Sequence, residues 1–328
     1  MVIGETMALE FEVKDAVRET VPILACVYGP TGSGKTFSGL LLAAGIAGPN
    51  GLVGMVDTEN KRGSLYADDP DIRRAMPGGR YKRLDLRAPF SPERYTKALR
   101  ALEAAGCTVA IVDSATHEWS GEDGCCDIAE KNKLAGMPNW AMAKLAHKRF
   151  LAYCLSSPMH IIFCLRAHEK VKPVKKGDLV SPDSTERYDK SAVIPLGMLP
   201  DCEKNFVYES LVSLRVDDGT HLAHPVKVPK MLAHVFPGKK LITVADGEAI
   251  RRWNDSAGVS SNTERIIERA RLAAEEGVEA YRAFYEELPA TSKKHLIDTG
   301  KHAEFKGVAI RADAEVSDAA EPEQPALV

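Results

Sequence analysis

A glycine-rich octapeptide constrains this chain more than any other stretch. Residues 29–36 read Gly-Pro-Thr-Gly-Ser-Gly-Lys-Thr and match the pattern G-x-x-x-x-G-K-[ST]. An apolar run, 23–28, precedes them, and a helix-like run, 37–44, follows them. A plain glycine turn with an exposed lysine is the alternative, but the order strand, glycine loop, helix favours a phosphate loop. The sequence therefore predicts a nucleoside triphosphate site.

The phosphate-loop pattern assigns a role to each residue. Successive backbone N–H groups surround a phosphate, and the helix that follows adds the positive end of its dipole. Lys35 is expected to reach the outer phosphates and Thr36 to ligate Mg²⁺. Further nucleotide contacts are expected from Gly29, Pro30, Thr31, Gly32, Ser33, Gly34 and Phe37. The predicted ligands are ATP and Mg²⁺.

Composition narrows the class of protein. The 328 residues carry a net charge of −3 and are 45% hydrophobic, which is typical of a globular chain with a sizeable core. With a pI of about 6.3, any nucleic-acid contact requires a local basic patch. The sequence has no apolar run near the roughly 18 residues of a membrane span and no signal-peptide core, so we expect a cytosolic protein, in the host cytosol if it is viral.

The seven cysteines predict neither disulfides nor a metal cluster. Their number is odd, which fits a reducing compartment, and no Cys-x-x-Cys or Cys/His spacing suits zinc. Cys26 and Cys164 lie in apolar runs and are expected to be small core residues.

Strand-like and helix-like segments alternate along the chain. Short apolar runs at 52–57, 108–113 and 159–165 predict buried strands, and 81–86 predicts another. Segments 92–105 and 139–156 predict helices, and the alternating run 8–13 predicts a half-exposed strand, which we place at a sheet edge. This alternation predicts an α/β fold with a mostly parallel twisted sheet.

Charged side chains follow three of these strands. Asp113 ends strand 108–113 and is expected in the Mg²⁺ shell, although many strands end in Asp only to cap a turn. Glu59, beyond Asp57, is the preferred carboxylate for polarising water; a solvated turn carboxylate is its alternative, and Glu118 is the second candidate. Arg166 and His168 follow strand 159–165, and both are phosphate sensors or plain surface residues.

Lysines mark two further candidate surfaces. The polar segment 171–189 predicts a mobile loop, and it holds most of a basic cluster formed by Lys170, Lys172, Lys175 and Lys176. Such a cluster either contacts a nucleic-acid backbone or is a solvated charge run. Lys227 and Lys230 follow a predicted hairpin of strands 206–216 and 222–228; they are solvated lysines or reach a phosphate on a neighbouring subunit.

The C-terminal third predicts a separate helical unit. Residues 1–257, which end after a helix at 248–253, form the predicted core, and the Gly/Ser/Asn-containing segment 258–262 is the predicted linker. Residues 263–310 predict a small helical domain whose aromatic stripe forms its own core. The acidic tail 311–328 is expected to be disordered.

These motifs together resemble the phage ATPases of the RecA/RadA superfamily, and in particular the Sak-type single-strand annealing proteins. The resemblance covers about residues 21–253 and rests on Gly29–Thr36, Asp57-Thr58-Glu59, Val112-Asp113-Ser114, His117-Glu118-Trp119, Leu165-Arg166-Ala167 and Lys227-Val228-Pro229-Lys230. It implies a RecA-like P-loop core in which Glu59 is the catalytic glutamate and the segment at Arg166 senses phosphate.

The same resemblance implies contacts with partners. It makes 171–189 a DNA-binding loop and makes Lys227 or Lys230 a cation supplied across a subunit interface. The chain departs from the family pattern in two ways: it has no obvious N-terminal assembly helix, and its C-terminal helical module is foreign to the RecA core. Filament formation and strand exchange therefore do not follow from the resemblance.

The sequence thus predicts an ATPase that acts on single-stranded DNA in phage-type recombination or annealing. We expect its rate of ATP hydrolysis to depend on DNA. Its expected partners are single-stranded DNA and other copies of itself in a head-to-tail ring or filament, and a single-strand DNA-binding protein is a further candidate. The main alternative is an ATP-driven remodelling module that binds a protein through its helical C-terminus. A small-molecule kinase is disfavoured, because no second segment offers an arginine-rich lid.

Overall fold

The computed structural model describes residues 16, 18–179, 186–257 and 259–318. The strands are β1 Glu19–Thr20, β2 Leu24–Gly29, β3 Val53–Asp57, β4 Lys82–Asp85, β5 Val109–Asp113, β6 His160–Val174, β7 Ala192–Pro200, β8 Val212–Val216, β9 Ala223–Lys227 and β10 Val259–Ser260. The helices are α1 Lys35–Ala47, α2 Pro70–Ala75, α3 Pro92–Ala104, α4 Thr116–Ser120, α5 Cys125–Lys131, α6 Trp140–Ser156, α7 Phe206–Glu209, α8 Val244–Asp255, α9 Ser261–Glu275, α10 Val278–Glu287, α11 Ala290–Asp298 and α12 Lys301–Asp318.

The central sheet brings the predicted site segments to one edge. Its strand order is β4-β3-β5-β6-β2-β8-β9, and β7 pairs with β6 beside this path. All pairs are parallel except β8 with β9 and β6 with β7. Strand β6 lies between β2, which leads into the glycine loop, and β5, which ends at Asp113. This is the predicted α/β fold with a mostly parallel sheet.

Helices cover both faces of the sheet, and the strand pleat divides the core between them. Along β2, Ala25 and Val27 face the cluster that contains residues of α1 and α8, whereas Cys26 faces the cluster that contains residues of α3 and α6. Because both faces are covered, β2, β3 and β5 are buried throughout, which explains their continuous apolar sequences.

Two glycines allow α1 and α8 to pack closely. A β-carbon on Gly45 would overlap the carbonyl oxygen of Val244, and one on Gly247 would overlap the carbonyl oxygen of Leu42. A capping box begins α8, in which the Thr243 hydroxyl and the Asp246 carboxylate bond across the first turn. The C-terminal half of the phosphate-loop helix α1 therefore packs directly against α8.

The C-terminal helices α9 to α12 enclose a core of their own. Tyr281, Leu296 and Phe305 are buried in it, in agreement with the predicted role of the aromatic stripe. The predicted disorder from residue 311 is wrong for its first part, because α12 continues to Asp318. Alanines favour helix there, and the Asp313 carboxylate accepts a hydrogen bond from the Val278 backbone N–H at 3.2 Å.

Three other segments differ from the sequence-based expectations. The predicted mobile loop 171–189 begins as strand, because β6 continues to Val174 and pairs with β7. Residues 206–209 form helix α7 rather than the start of a hairpin strand. The linker contains β10, which pairs in parallel with β1. The predicted strand 8–13 lies outside the described residues, and the domain limits stay predictions.

Candidate nucleotide site

The glycine loop joins β2 to α1 in a conformation that requires glycine. Gly32 and Gly34 have φ of 88° and 86°, values that residues with a β-carbon rarely adopt. At Gly29 a β-carbon would overlap the Val216 carbonyl oxygen. The first turn of α1 closes with the Ser38 N–H donating to the Gly34 carbonyl at 2.9 Å. A glycine loop that leads into a helix N-terminus is suited to bind an anion through its backbone N–H groups.

Lys35 begins α1 with its ammonium folded over the loop. Its Nζ donates to the Pro30 carbonyl oxygen at 2.7 Å. Burial lowers the pKa of Lys35, with Asp113 and Glu59 among the groups that oppose the shift. Nearby, the buried Ser33 hydroxyl has no hydrogen-bond partner among the described residues. A buried cation beside an unsatisfied hydroxyl fits a site that is completed by an anion.

Thr36 and Asp113 meet across two elements. The Thr36 hydroxyl at the start of α1 donates to Asp113 Oδ2 at the end of β5, at 2.6 Å. Burial raises the pKa of Asp113 to about 6, and the Thr36 hydrogen bond opposes this shift. A hydroxyl and a carboxylate this close, in a buried position beside the phosphate loop, are oxygen ligands suited to Mg²⁺.

Glu59 and Arg166 form an ion pair at the mouth of the site. Arg166 Nε and Nη2 donate to Glu59 Oε1 at 2.9 and 2.7 Å. Arg62 Nη1 lies 3.6 Å from Glu59 Oε2. Asp57 fixes the turn that carries Glu59, since its carboxylate accepts from the N–H groups of Glu59 and Gly63. The predicted base and the predicted phosphate sensor are therefore paired with each other.

The site cavity has a volume of about 200 Å³. Eight of the predicted site residues line it, and Arg62, Leu65 and Tyr66 complete the wall. The eight are Thr31, Gly32, Gly34, Lys35, Thr36, Glu59, Asp113 and Arg166.

 Four other predicted nucleotide contacts, Gly29, Pro30, Ser33 and Phe37, do not line this cavity. The centroid of the Phe37 ring lies 6.2 Å from that of the Tyr66 ring.

Sequence reasoning missed the segment that carries Tyr66. It is a short 3-10 helix, Arg62–Tyr66, entered through Asn60 and Lys61, which both have positive φ. No glycine or proline marks these two positions, so the sharp bend that returns the chain to the site was not expected.

His221 is a second residue that sequence reasoning missed. It lies in the turn between β8 and β9, and its Nδ1 is 3.0 Å from the Ser33 carbonyl oxygen. A β-carbon on Gly34 would lie 3.2 Å from the same ring nitrogen. The turn after β8 therefore packs against the phosphate loop, a contact between residues 188 positions apart.

Helix α4 connects the site to its surroundings. The Thr58 hydroxyl lies 2.8 Å from His117 Nδ1 and accepts from the Ser114 N–H at 2.7 Å. The Thr116 hydroxyl accepts from the Arg166 N–H at 2.9 Å. Burial lowers the pKa of His117, and Arg166 adds to this shift. The positions of β3, β5 and β6 at the site are thus tied together through α4.

Glu118, the second candidate base, does not line the cavity. It is buried with Cys125 and His147, and His147 Nδ1 lies 3.1 Å from its Oε1. The Cys125 thiol donates to the same oxygen at 3.3 Å. These three groups lie within 4.8 Å of one another, a clustering that the spacing of the cysteines did not predict. Their mutual hydrogen bonds satisfy the carboxylate, so the cluster joins α4, α5 and α6.

The predicted lysines lie away from the cavity. Lys170 and Lys172 are on β6 beyond the central sheet, and the Lys170 ammonium donates to the Pro200 carbonyl at 3.2 Å. Lys175 and Lys176 follow the end of β6 and are exposed, and His168 is exposed on β6. Lys227 ends β9 and donates to the Tyr208 carbonyl, and exposed Lys230 begins a short 3-10 turn.

Comparisons with known proteins complete the description. A family model described as AAA domain matches residues 22–191. A search of curated proteins gives no match. Among solved structures, the chain is similar to the RadB recombinase (20% identity, TM-score 0.38, 64% of this chain and 84% of that chain). It is also similar to an ATPase from the type III secretion system of pathogenic bacteria (11% identity, TM-score 0.33, 87% of this chain and 74% of that chain). No helix in the described ranges is long and apolar enough to cross a membrane.

Proposed function

This chain belongs to the AAA domain family and is an ATPase, and we propose that it uses ATP hydrolysis in DNA recombination, on single-stranded DNA. The proposal includes the finer resemblance to Sak-type phage annealing proteins, which rests on the sequence motifs. It also includes Mg²⁺ as the metal and a single-strand DNA-binding protein as a candidate partner.

The observation that carries the proposal is the continuity of strand β6. Its first part lies in the central sheet between β2 and β5, and Arg166 stands level with Gly29 of the phosphate loop. Among the residues that the structure describes, its second part pairs with β7 beside that sheet, and we call these two paired strands the arm. Lys170 and Lys172 lie on this arm, and Lys175 and Lys176 follow at its tip. One strand thus joins a lysine-bearing surface to the ion pair at the ATP site.

The site residues divide the work of hydrolysis. Lys35 and the loop N–H groups would bind the phosphates, and Thr36 with ionised Asp113 would hold Mg²⁺. When bound, Mg²⁺ neutralises charge that develops on the β- and γ-phosphate oxygens. Glu59 would accept the proton of the attacking water, which it can do only as a carboxylate.

The Glu59–Arg166 pair suggests how DNA regulates the site. While Arg166 donates twice to Glu59 Oε1, that oxygen is poorly placed to accept a proton from water. We expect DNA on the arm to shift β6, so that Arg166 turns to the terminal phosphate and releases Glu59. Hydrolysis would then be slow without DNA and faster with it.

The test is the rate of ATP hydrolysis without nucleic acid, with single strands and with duplex. We expect the largest stimulation by single strands. Replacing Lys170, Lys172, Lys175 and Lys176 by Gln should remove this stimulation and flatten the salt dependence of binding, because fewer counterions are released. The matched control replaces Lys293, Lys294, Lys301 and Lys306 on the C-terminal helices, which changes the net charge equally.

An unchanged salt slope in the arm variant would contradict the proposed DNA surface. Turnover that no nucleic acid stimulates would favour the second candidate function, remodelling of a protein partner. That alternative is supported by three exposed apolar side chains on the C-terminal helices, Leu272, Ile297 and Ile310.

A further inference from the structure

A second cavity adjoins the nucleotide cavity. It has a volume of about 590 Å³. Glu59, Arg62 and Arg166 line both cavities, and the remaining wall is formed by Thr58, Asn60, Arg87, Ala88, Phe90 and His117. The two cavities therefore meet at the carboxylate and the guanidinium that lie where the terminal phosphate of ATP is expected.

The second cavity has an excess of positive charge. Its wall contains three arginines and one carboxylate, Glu59. Glu59 is already paired with Arg166, and Arg62 approaches it only to 3.6 Å. In the part of the chain that the structure describes, no hydrogen bond or ion pair engages the guanidinium of Arg87. With a neutral His117, the three arginines and Glu59 give the wall of this cavity a net charge balance of +2.

The wall around Arg87 is built from fixed groups. The backbone carbonyl of Arg87 accepts from Arg94 Nη1 at 2.6 Å, which holds the start of the side chain in place. The Phe90 ring packs on the His117 ring with centroids 4.9 Å apart, and His117 is held by the Thr58 hydroxyl. The cavity therefore presents guanidinium donors next to the packed rings of Phe90 and His117.

We propose that this second cavity binds the orthophosphate that ATP hydrolysis releases, with Arg87 as its principal ligand. The proposal rests on the ATPase activity of the site. Water oxygen bonds to the γ-phosphorus, the bond from that phosphorus to the bridging oxygen breaks, and the products are ADP, orthophosphate and a proton that passes through Glu59 to solvent. Near neutral pH orthophosphate is a mixture of monoanion and dianion, and the dianion matches the +2 balance, whereas a nucleic-acid phosphodiester carries one negative charge.

The experiment measures inhibition of ATP hydrolysis by added orthophosphate and binding of orthophosphate to the ADP-bound protein by equilibrium dialysis. We expect Arg87→Gln to weaken both by about tenfold, because one charge-assisted interaction is lost. The affinity for a non-hydrolysable ATP analogue should be unchanged, since Arg87 is absent from the first cavity. The control is Arg73→Gln on α2, an arginine that lines neither cavity, and it should behave like the wild type.

Equal orthophosphate binding by wild type and Arg87→Gln overturns the proposal, as does a wild type that binds none. If Arg87→Gln leaves orthophosphate binding unchanged but weakens binding of single-stranded DNA, the cavity takes a phosphodiester and the proposal is wrong. The arm variant tests the DNA role and should bind orthophosphate like the wild type, whereas Arg87→Gln tests orthophosphate binding. Failure of the proposed DNA role and failure of this proposal are therefore distinguishable.

Discussion

Two glutamates in this chain follow strand-ending aspartates, and they have different surroundings. Glu59 lines the nucleotide cavity, whereas Glu118 is buried against His147. We expect Glu59→Gln to bind Mg²⁺-ATP but to hydrolyse it about 10²-fold more slowly, because the amide cannot accept a proton from water. Single-turnover hydrolysis and binding of a fluorescent nucleotide measure the two effects separately.

Glu118→Gln is the matched comparison for this prediction. It removes a buried charge beside His147, so we expect a lower melting temperature with near-normal turnover of the folded fraction. Normal turnover in Glu59→Gln together with slow turnover in folded Glu118→Gln would assign the base to Glu118.

The buried carboxyl of Asp113 predicts a pH dependence of metal binding. Its pKa is raised to about 6, so the carboxylate needed for Mg²⁺ is lost as the pH falls through 6. We expect the apparent dissociation constant of Mg²⁺-nucleotide to rise about tenfold for each pH unit below 6. Nucleotide titrations with Mg²⁺ or EDTA between pH 5 and 8 measure this, and Asp113→Asn should remove the dependence. A wild-type constant that does not change over this range would contradict the assignment.

The same Asp113 predicts a change in stability without metal. Because the folded pKa lies above the ordinary value of 3.8, the folded state binds more protons between pH 3.8 and 6. Asp113 therefore contributes a stability that is present at low pH and lost as the pH rises through this window. Denaturant titrations of wild type and Asp113→Asn in EDTA isolate this contribution.

Sequence reasoning predicted the site residues whose roles are marked by their neighbours in the chain. Lys35 and Thr36 belong to a local pattern, and Asp113 ends an apolar run, so each carries its own signal. Tyr66 and His221 reach the cavity or its loop only through tertiary contacts, with no spacing that marks them. No sequence motif surrounds Arg87, and its place beside the nucleotide cavity depends on the tertiary structure.

At the scale of elements, the close contact between α1 and α8 predicts that one added methyl group lowers the free energy of unfolding. Gly247→Ala would place a β-carbon over the Leu42 carbonyl oxygen, so the helices must separate. We expect a loss of about 1–3 kcal/mol in the free energy of unfolding, with weaker nucleotide binding because α1 carries Lys35. Gly238→Ala is the control, since its β-carbon would meet nothing within 4 Å. Equal denaturation midpoints for the two variants would contradict this account.

The elements also show where the sequence signal ends. The buried strands β2, β3 and β5 could be predicted from their continuously apolar sequences. These sequences are apolar throughout because both faces of the sheet are covered. Strand β6 was predicted to stop near Leu165, because the residues beyond it are polar and lysine-rich. Those residues form strand through pairing with β7, a partner that local pattern does not reveal.

At the scale of the whole molecule, the resemblance of Lys227-Val228-Pro229-Lys230 to cations supplied across a subunit interface leads to a prediction about assembly. We expect a head-to-tail oligomer, a ring or a filament, in which Lys227 or Lys230 of one protomer approaches the phosphates held by Lys35 and Thr36 of the next. The test mixes Lys35→Ala protein with Lys227→Ala/Lys230→Ala protein, each inactive alone. Mixed oligomers contain some interfaces with both parts intact, so ATPase activity should return.

Sedimentation in the presence and absence of ATP is the companion measurement for the mixed sample. ATP should tighten the assembly, because the nucleotide would be bound by both protomers. Activity that does not return although the two variants co-assemble, or a monomer at every ATP concentration, would contradict the shared site.

The pairing of β1 with β10 affects what proteolysis between the core and the C-terminal helices would do. Glu19–Thr20 pairs with Val259–Ser260, so the segment that enters the core and the segment that leaves it form one seam. Arg18, just before β1, lies 4.7 Å from the centre of the Trp253 ring on α8, which fixes β1 to the core. A protease that cleaves at residue 258 would therefore leave the helical fragment held beside the core, and the same seam is a natural place to divide the chain into two complementing halves.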